Sequence, residues 1–205
     1  MSEASQKKQI EFVFNPPGSP HFSGLVEAGV KSVKTHLSRV IGLQRLTFEE
    51  FYSLLTQVEA LLNSRPLTPL SADPNDFSVL TPGHFLTLEP LTILPEPSLI
   101  DINIGPLQRW KLLQRMHQNF WRKWHLEHLH TLQQKNKWSN HVDNIQVGSM
   151  VLIVNEQCAP LKWSLGRIVK LHSGSDGVCR VVTVRTATGE YKRPVVKLCP
   201  LPFRN

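Results

Sequence analysis

A chain of 205 residues with 40% apolar composition can form one medium domain or two small ones, each with a core of its own. No apolar run approaches the roughly 18 residues of a membrane span, and residues 1–8 lack the apolar centre of a signal peptide, so an intracellular protein with no membrane partner is expected. The net charge of +7 is uneven: residues 1–90 hold seven Lys/Arg against nine Asp/Glu, a net −2, and residues 91–205 hold sixteen against seven, a net +9.

A near-neutral front joined to a basic rear fits a polyanion-binding module attached to something else, and it equally fits a solvated basic surface. The three cysteines, Cys158, Cys179 and Cys199, are too few and too far apart for a disulfide framework or a zinc knuckle, and read as small core residues.

In chain order, Ile10-Glu-Phe-Val-Phe14 alternates and is rich in β-formers, so a short strand is expected there, ending at Pro16-Pro17. Helix is expected from about Phe22, weakened by Gly24 and Gly29. Val26, Val30, Val33, Leu37 and Val40 recur at intervals of four and three, which predicts one buried face. Glu27, Lys31 and Lys34 align on a different face.

Thr47 followed by Glu50 makes a capping box before Phe51, Leu54, Leu55, Val58, Leu61 and Leu62. A second amphipathic helix over 48–63 follows, stopped before Pro66. Eight prolines between Pro66 and Pro106 mark an extended connector lying along a surface.

From about Leu107 to Trp138 no Gly or Pro interrupts a helical pattern of about 30 residues. Trp110, Leu113, Met116 or His117, Phe120, Trp124 and Leu129 can share its apolar side, while Arg109, Lys111, Arg115, Arg122 and Lys123 make the rest basic. His125 and His128 lie one turn apart, but no cysteine and no carboxylate except Glu127 accompanies them, so solvated or stacked histidines are expected rather than a metal site.

From Ile145 the period becomes that of strands, over 146–154, 163–171, 178–186 and 190–193. Reversals at 173–177 and 188–189 separate the last three. Four or five short strands in about 55 residues predict a small barrel. Arg167, Lys170, Arg185, Lys192 and Arg193 are expected to point outward and to form a basic face with Lys162.

Three motifs carry a family resemblance: Pro16-Pro17-Gly-Ser-Pro-His-Phe-Ser-Gly-Leu-Val-Glu27-Ala, Ala60-Leu-Leu-Asn-Ser-Arg-Pro-Leu-Thr68 and Leu80-Thr-Pro-Gly-His-Phe-Leu86. They resemble the integrase of BEL/Pao-type LTR retrotransposons. Pro160-Leu-Lys-Trp-Ser-Leu-Gly-Arg-Ile-Val169 and Tyr191-Lys-Arg-Pro-Val-Val-Lys-Leu-Cys-Pro-Leu201 are similar to the module that follows the catalytic core in those polyproteins. The likeness runs from Phe12 onward. It implies an α+β chain: an incomplete RNase H-like α/β core of one strand and two helices over 1–66, the connector over 67–106, the long basic helix over 107–138 and an SH3-like β-barrel over 139–205.

The resemblance also implies a two-metal site of two Asp and one Glu, in which Mg²⁺ or Mn²⁺ clamps the attacking and leaving oxygens of a phosphodiester. Glu27 matches the Glu of that trio, and Lys31 and Lys34 match positions that hold terminal DNA. Both Asp should precede the strand at Ile10, where residues 1–14 hold none. The chain alone is therefore expected to hold no metal tightly, to bind no small-molecule cofactor and not to join DNA ends. DNA and other integrase subunits are the expected partners, with a nuclear location when acting on DNA. Arg39, Arg122 and Lys123 join Lys31, Lys34 and the basic face as expected nucleic-acid contacts. A non-enzymatic DNA- or chromatin-binding module derived from such an element is the alternative.

Overall fold

The computed structural model describes residues 14, 16–18, 23–92, 96–102, 108–133 and 145–202. The expected strand at 10–14 lies outside them except for Phe14. The chain divides into two units, residues 1–42 and 43–205.

In the first unit, helix α1 spans Gly24–Ile41. The expected single buried face is not continuous, because Val26 and Val30 are exposed. Gly42 follows at φ 56°, a backbone region that a side chain rarely tolerates, and its N–H donates to the Ser38 carbonyl.

The second unit opens with α2, Phe48–Asn63. The capping box read from the sequence is formed in full: the Glu50 N–H donates to the Thr47 hydroxyl and the Thr47 N–H donates to the Glu50 carboxylate at 2.8 Å. Leu54, Val58 and Leu61 are buried, and α2 packs on the long helix α4, Arg109–Leu132. The other apolar residues of α2 divide differently than the expected stripe, with Phe51 and Leu55 exposed beside Phe48 and Tyr52.

The connector is folded rather than merely extended. Strands β1, Thr68–Pro69, and β2, Val79–Leu80, pair antiparallel, and a single turn of helix, α3, follows at His84–Thr87. The Gly83 N–H donates to the Asn63 carbonyl at 2.8 Å, which ties α3 to the end of α2.

Helix α4 buries Leu113, Met116, His117, Phe120, Trp121, Trp124, His125 and Leu129. Trp110, expected on that side, is instead 57% exposed. Residues 134–138, expected to continue the helix, lie outside the described residues.

Five strands complete the unit: β3 at Met150–Ile153, β4 at Leu165–Ser173, β5 at Cys179–Thr186, β6 at Gly189–Pro194 and β7 at Leu198–Pro200. They form one antiparallel sheet in the order β6-β5-β4-β3-β7. The sheet is not the closed barrel expected from strand count. A 3-10 turn at Val195–Lys197 carries the chain from β6 to β7 at the opposite edge, and no ladder joins these two edge strands.

Two apolar clusters cover the two faces of β3, as its pleat requires. Val151 packs with Ile145, Ile168, Val182, Val184 and Leu198. Met150 and Leu152 face the other way, with Leu129 of α4, Cys199 and Leu201.

The sheet has one position with no room for a side chain. A Cβ on Gly166 would lie 2.4 Å from Val184 Cγ1 and 2.9 Å from the Arg185 carbonyl oxygen. Overpacking of this kind costs about 1–3 kcal/mol. Gly166→Ala is accordingly expected to lower the unfolding free energy in urea by that amount, whereas an unchanged midpoint would mean that β4 and β5 separate there at no cost.

Candidate nucleic-acid interface

Register decides which basic side chains share a surface, because directly opposed residues of neighbouring strands point to the same face. Ile168 opposes Val184, and Leu171 opposes Val182, which places these pairs on the core side. On the other side, Lys170 opposes Thr183 on β5, and Thr183 in turn opposes Lys192 on β6. A row Lys170–Thr183–Lys192 therefore crosses three strands, its two ammonium groups rooted about 10 Å apart, or two strand spacings. Both lysines are exposed. His172 Nε2 and the Thr183 hydroxyl, 2.8 Å apart, brace the row from the next position.

Neighbouring cations are already engaged. Arg185 pairs with Glu190 at 2.9 Å and donates to the Asn75 side chain, so its charge is compensated. Arg180 pairs with Asp176 at 2.7 Å, and that guanidinium draws the Asp176 carboxyl down to about 2. Arg193 sits opposite the buried Val182, on the other face from the row, with its guanidinium 5.4 Å over the Tyr191 ring.

Arg167 is a correction to the expected basic face. It is 4% exposed, and its guanidinium donates to the carbonyls of Asp76 at 3.1 Å, Gly148 at 3.2 Å and Ser71 at 2.5 Å. A buried guanidinium needs such acceptors, and having them it is not available to phosphate. Lys162 is exposed on the loop between β3 and β4, away from the row, where it lines a cleft.

On α4, Arg122 and Lys123 are exposed on the side away from the packed tryptophans. Arg109 is held by Glu50 of α2 at 2.5 Å, and the pairing lowers the Glu50 carboxyl to about 2. Arg115 donates to the Ile102 carbonyl.

In the first unit, Val26, Glu27, Val30, Lys31, Lys34 and Thr35 line one shallow hollow of about 450 Å³ on α1, so the helix does bring the acid and both lysines together. Arg39 is exposed in the last turn. One carboxylate beside two ammonium groups does not fit a divalent cation, which takes several oxygen ligands. Among the described residues, no group of three or more His, Cys, Asp or Glu is placed to hold a metal ion.

His125 and His128 of α4 stack on aromatic rings, as expected. His125 lies 4.8 Å from Trp121 and 5.2 Å from Trp163, and His128 lies 5.2 Å from Trp124. Trp163, from the loop before β4, meets all four rings and donates to the Ser64 hydroxyl at 3.1 Å. Burial lowers both imidazoles to about 4. Sequence reading placed neither Trp121 nor Trp163 in this cluster. The signal was the i, i+4 repeat Trp121, His125, Leu129, which marks a second buried stripe beside the first.

Among the described residues no helix is long and apolar enough to cross a membrane. No curated protein and no solved structure matches the chain. Residues 108–201, which span α4 and the five-stranded sheet, match the model of DUF5641, a family of unknown function.

Proposed function

We propose that this chain is a DNA-binding part of an integrase of the BEL/Pao type, in which the sheet contacts duplex phosphates without reading sequence. The observation that carries this reading is the Lys170–Thr183–Lys192 row: two exposed cations on one face, with the adjoining Arg185 neutralised by Glu190. Arg122 and Lys123 on α4 are further exposed cations of the same unit. An SH3-like assignment of the sheet is supported by the meander β3-β4-β5-β6 and by the 3-10 turn before β7, which returns to pair with β3.

The RNase H-like assignment of residues 1–66 rests on the motif resemblance. In such an assembly Glu27 would be one of three carboxylates around Mg²⁺ or Mn²⁺, with the others supplied from outside the described residues. Lys31 and Lys34 would then lie beside the DNA end.

Fluorescence anisotropy with a labelled 20-bp duplex tests the DNA reading. Each neutralised phosphate contributes about 0.9 to the slope of log affinity against log salt. Lys170→Glu with Lys192→Glu should therefore flatten the slope by about 2 and weaken binding more than tenfold at 100 mM salt. An affinity that is flat with salt, or indifferent to the double substitution, would remove this reading.

A further inference from the structure

Apart from the basic face, the second unit carries a preformed cleft of about 600 Å³, a size in the range of ligand sites. Leu70, Phe77, Val79, Leu91, Leu161 and Trp163 supply its apolar walls. Its frame is fastened by hydrogen bonds between distant segments. Trp163 Nε1 donates to Ser64 at the end of α2, and the Gly83 N–H donates to the Asn63 carbonyl. A Cβ on Gly83 would come within 2.8 Å of Leu91 Cγ, so only glycine lets that wall close onto α3.

Leu161 is held at φ 61°, one of two non-glycine residues with positive φ among those described. Strain of that kind persists where the surroundings dictate it. Here it aims the Leu161-Lys162-Trp163 segment at the cleft.

Charge narrows what the cleft can take. Among the described residues no carboxylate lines it, whereas Lys162 stands exposed at its edge and His84 forms part of its wall. Next to His84, Phe85 is 72% and Leu86 66% exposed, and Leu70 at the other side is 53% exposed, so apolar surface extends beyond the opening. Apolar walls with a single-signed polar edge suit an occupant with apolar anchors and a nearby negative charge.

We propose that this cleft is a docking site for an extended peptide segment of a partner protein, bearing two or three apolar side chains and an adjacent Asp or Glu that meets Lys162. Such a segment needs little beyond side-chain pockets and one charge contact, which is how extended peptides gain specificity on preformed grooves. The inference does not depend on the DNA-binding reading, because the Lys170–Thr183–Lys192 row takes no part in it.

Panning a random decapeptide library displayed on phage against the full chain tests the proposal. The expected result is enrichment of peptides that combine apolar residues with Asp or Glu. A synthetic copy of an enriched peptide should bind at least tenfold more weakly to Lys162→Glu and to Leu70→Trp, which fills the cleft from an exposed position. Replacing the peptide's acid by Lys should restore part of the affinity for Lys162→Glu. Both variants should melt within about 2 °C of the parent, since both positions are exposed. No enrichment, enrichment of basic peptides, or equal binding to both variants would overturn the proposal. So would loss of 20-bp duplex binding in Lys162→Glu with no peptide effect, which would assign the lysine to nucleic acid instead.

Discussion

Arg167→Leu is expected to destabilise the second unit by about 3–5 kcal/mol, because leucine leaves the carbonyls of Ser71, Asp76 and Gly148 without the donor that satisfies them. At this chain length each kcal/mol moves the midpoint by about 2–4 °C, so a fall of roughly 6–20 °C should be seen by thermal melting. The guanidinium joins β4, the turn before β3 and the connector through three acceptors at once. Arg167→Lys keeps the charge but not the fork of donors, and should fall between parent and leucine variant. A leucine variant that melts within about 2 °C of the parent would show that burying the arginine costs as much as its three bonds return.

Acidification from pH 7.5 to 5 should also weaken this unit, through His125 and His128. Their folded values near 4 lie below the ordinary histidine value of 6.5, and burial among tryptophans is the main cause for both. The positive charge of the other histidine adds to it for His125, and that of Arg65 for His128. Between pH 6.5 and 4 the unfolded chain binds protons that the folded chain refuses. Stability is thus fully present above pH 6.5 and is lost as pH falls toward 4.

Between pH 7.5 and 5 the loss is about 2 kcal/mol per histidine. Glu50 and Asp176, lowered to about 2 by their arginines, act in the window below pH 4.5, whereas His117 of α4, which burial also lowers, adds to the loss in this range. Urea titrations at the two pH values measure the difference. The double variant His125→Phe, His128→Phe keeps the ring stacking and should remove the share of the slope that these two contribute, leaving that of His117. An unchanged slope in that variant would place the titrating groups elsewhere.

Local signals were legible wherever a short stretch of chain decides its own geometry. Helix α2 begins and ends where Thr47, Glu50 and Pro66 direct, because capping and proline act within one turn. The period-2 runs of the C-terminal third became β3, β4, β5 and β6 close to their expected bounds, with reversals at the Gly-rich points. Glu27, Lys31 and Lys34 share a hollow on α1, as spacing along one helix requires.

Tertiary structure decided what depends on residues far apart in sequence. Alternation placed Arg167 on a face, but whether that face meets water or the connector depends on residues 71–76, some 90 positions away. The same distance separates Trp163 from Ser64, which explains why the aromatic cluster was only half visible in the helix that carries most of it. Strand count suggested closure into a barrel, yet closure depends on whether the two edge strands meet, and here β6 and β7 end on opposite edges. The sequence by itself determined the elements and their amphipathic faces, since propensity, capping and period are local. Only the tertiary structure decided which cations remain free and which are used to satisfy buried carbonyls, because desolvation is a property of the whole packed unit.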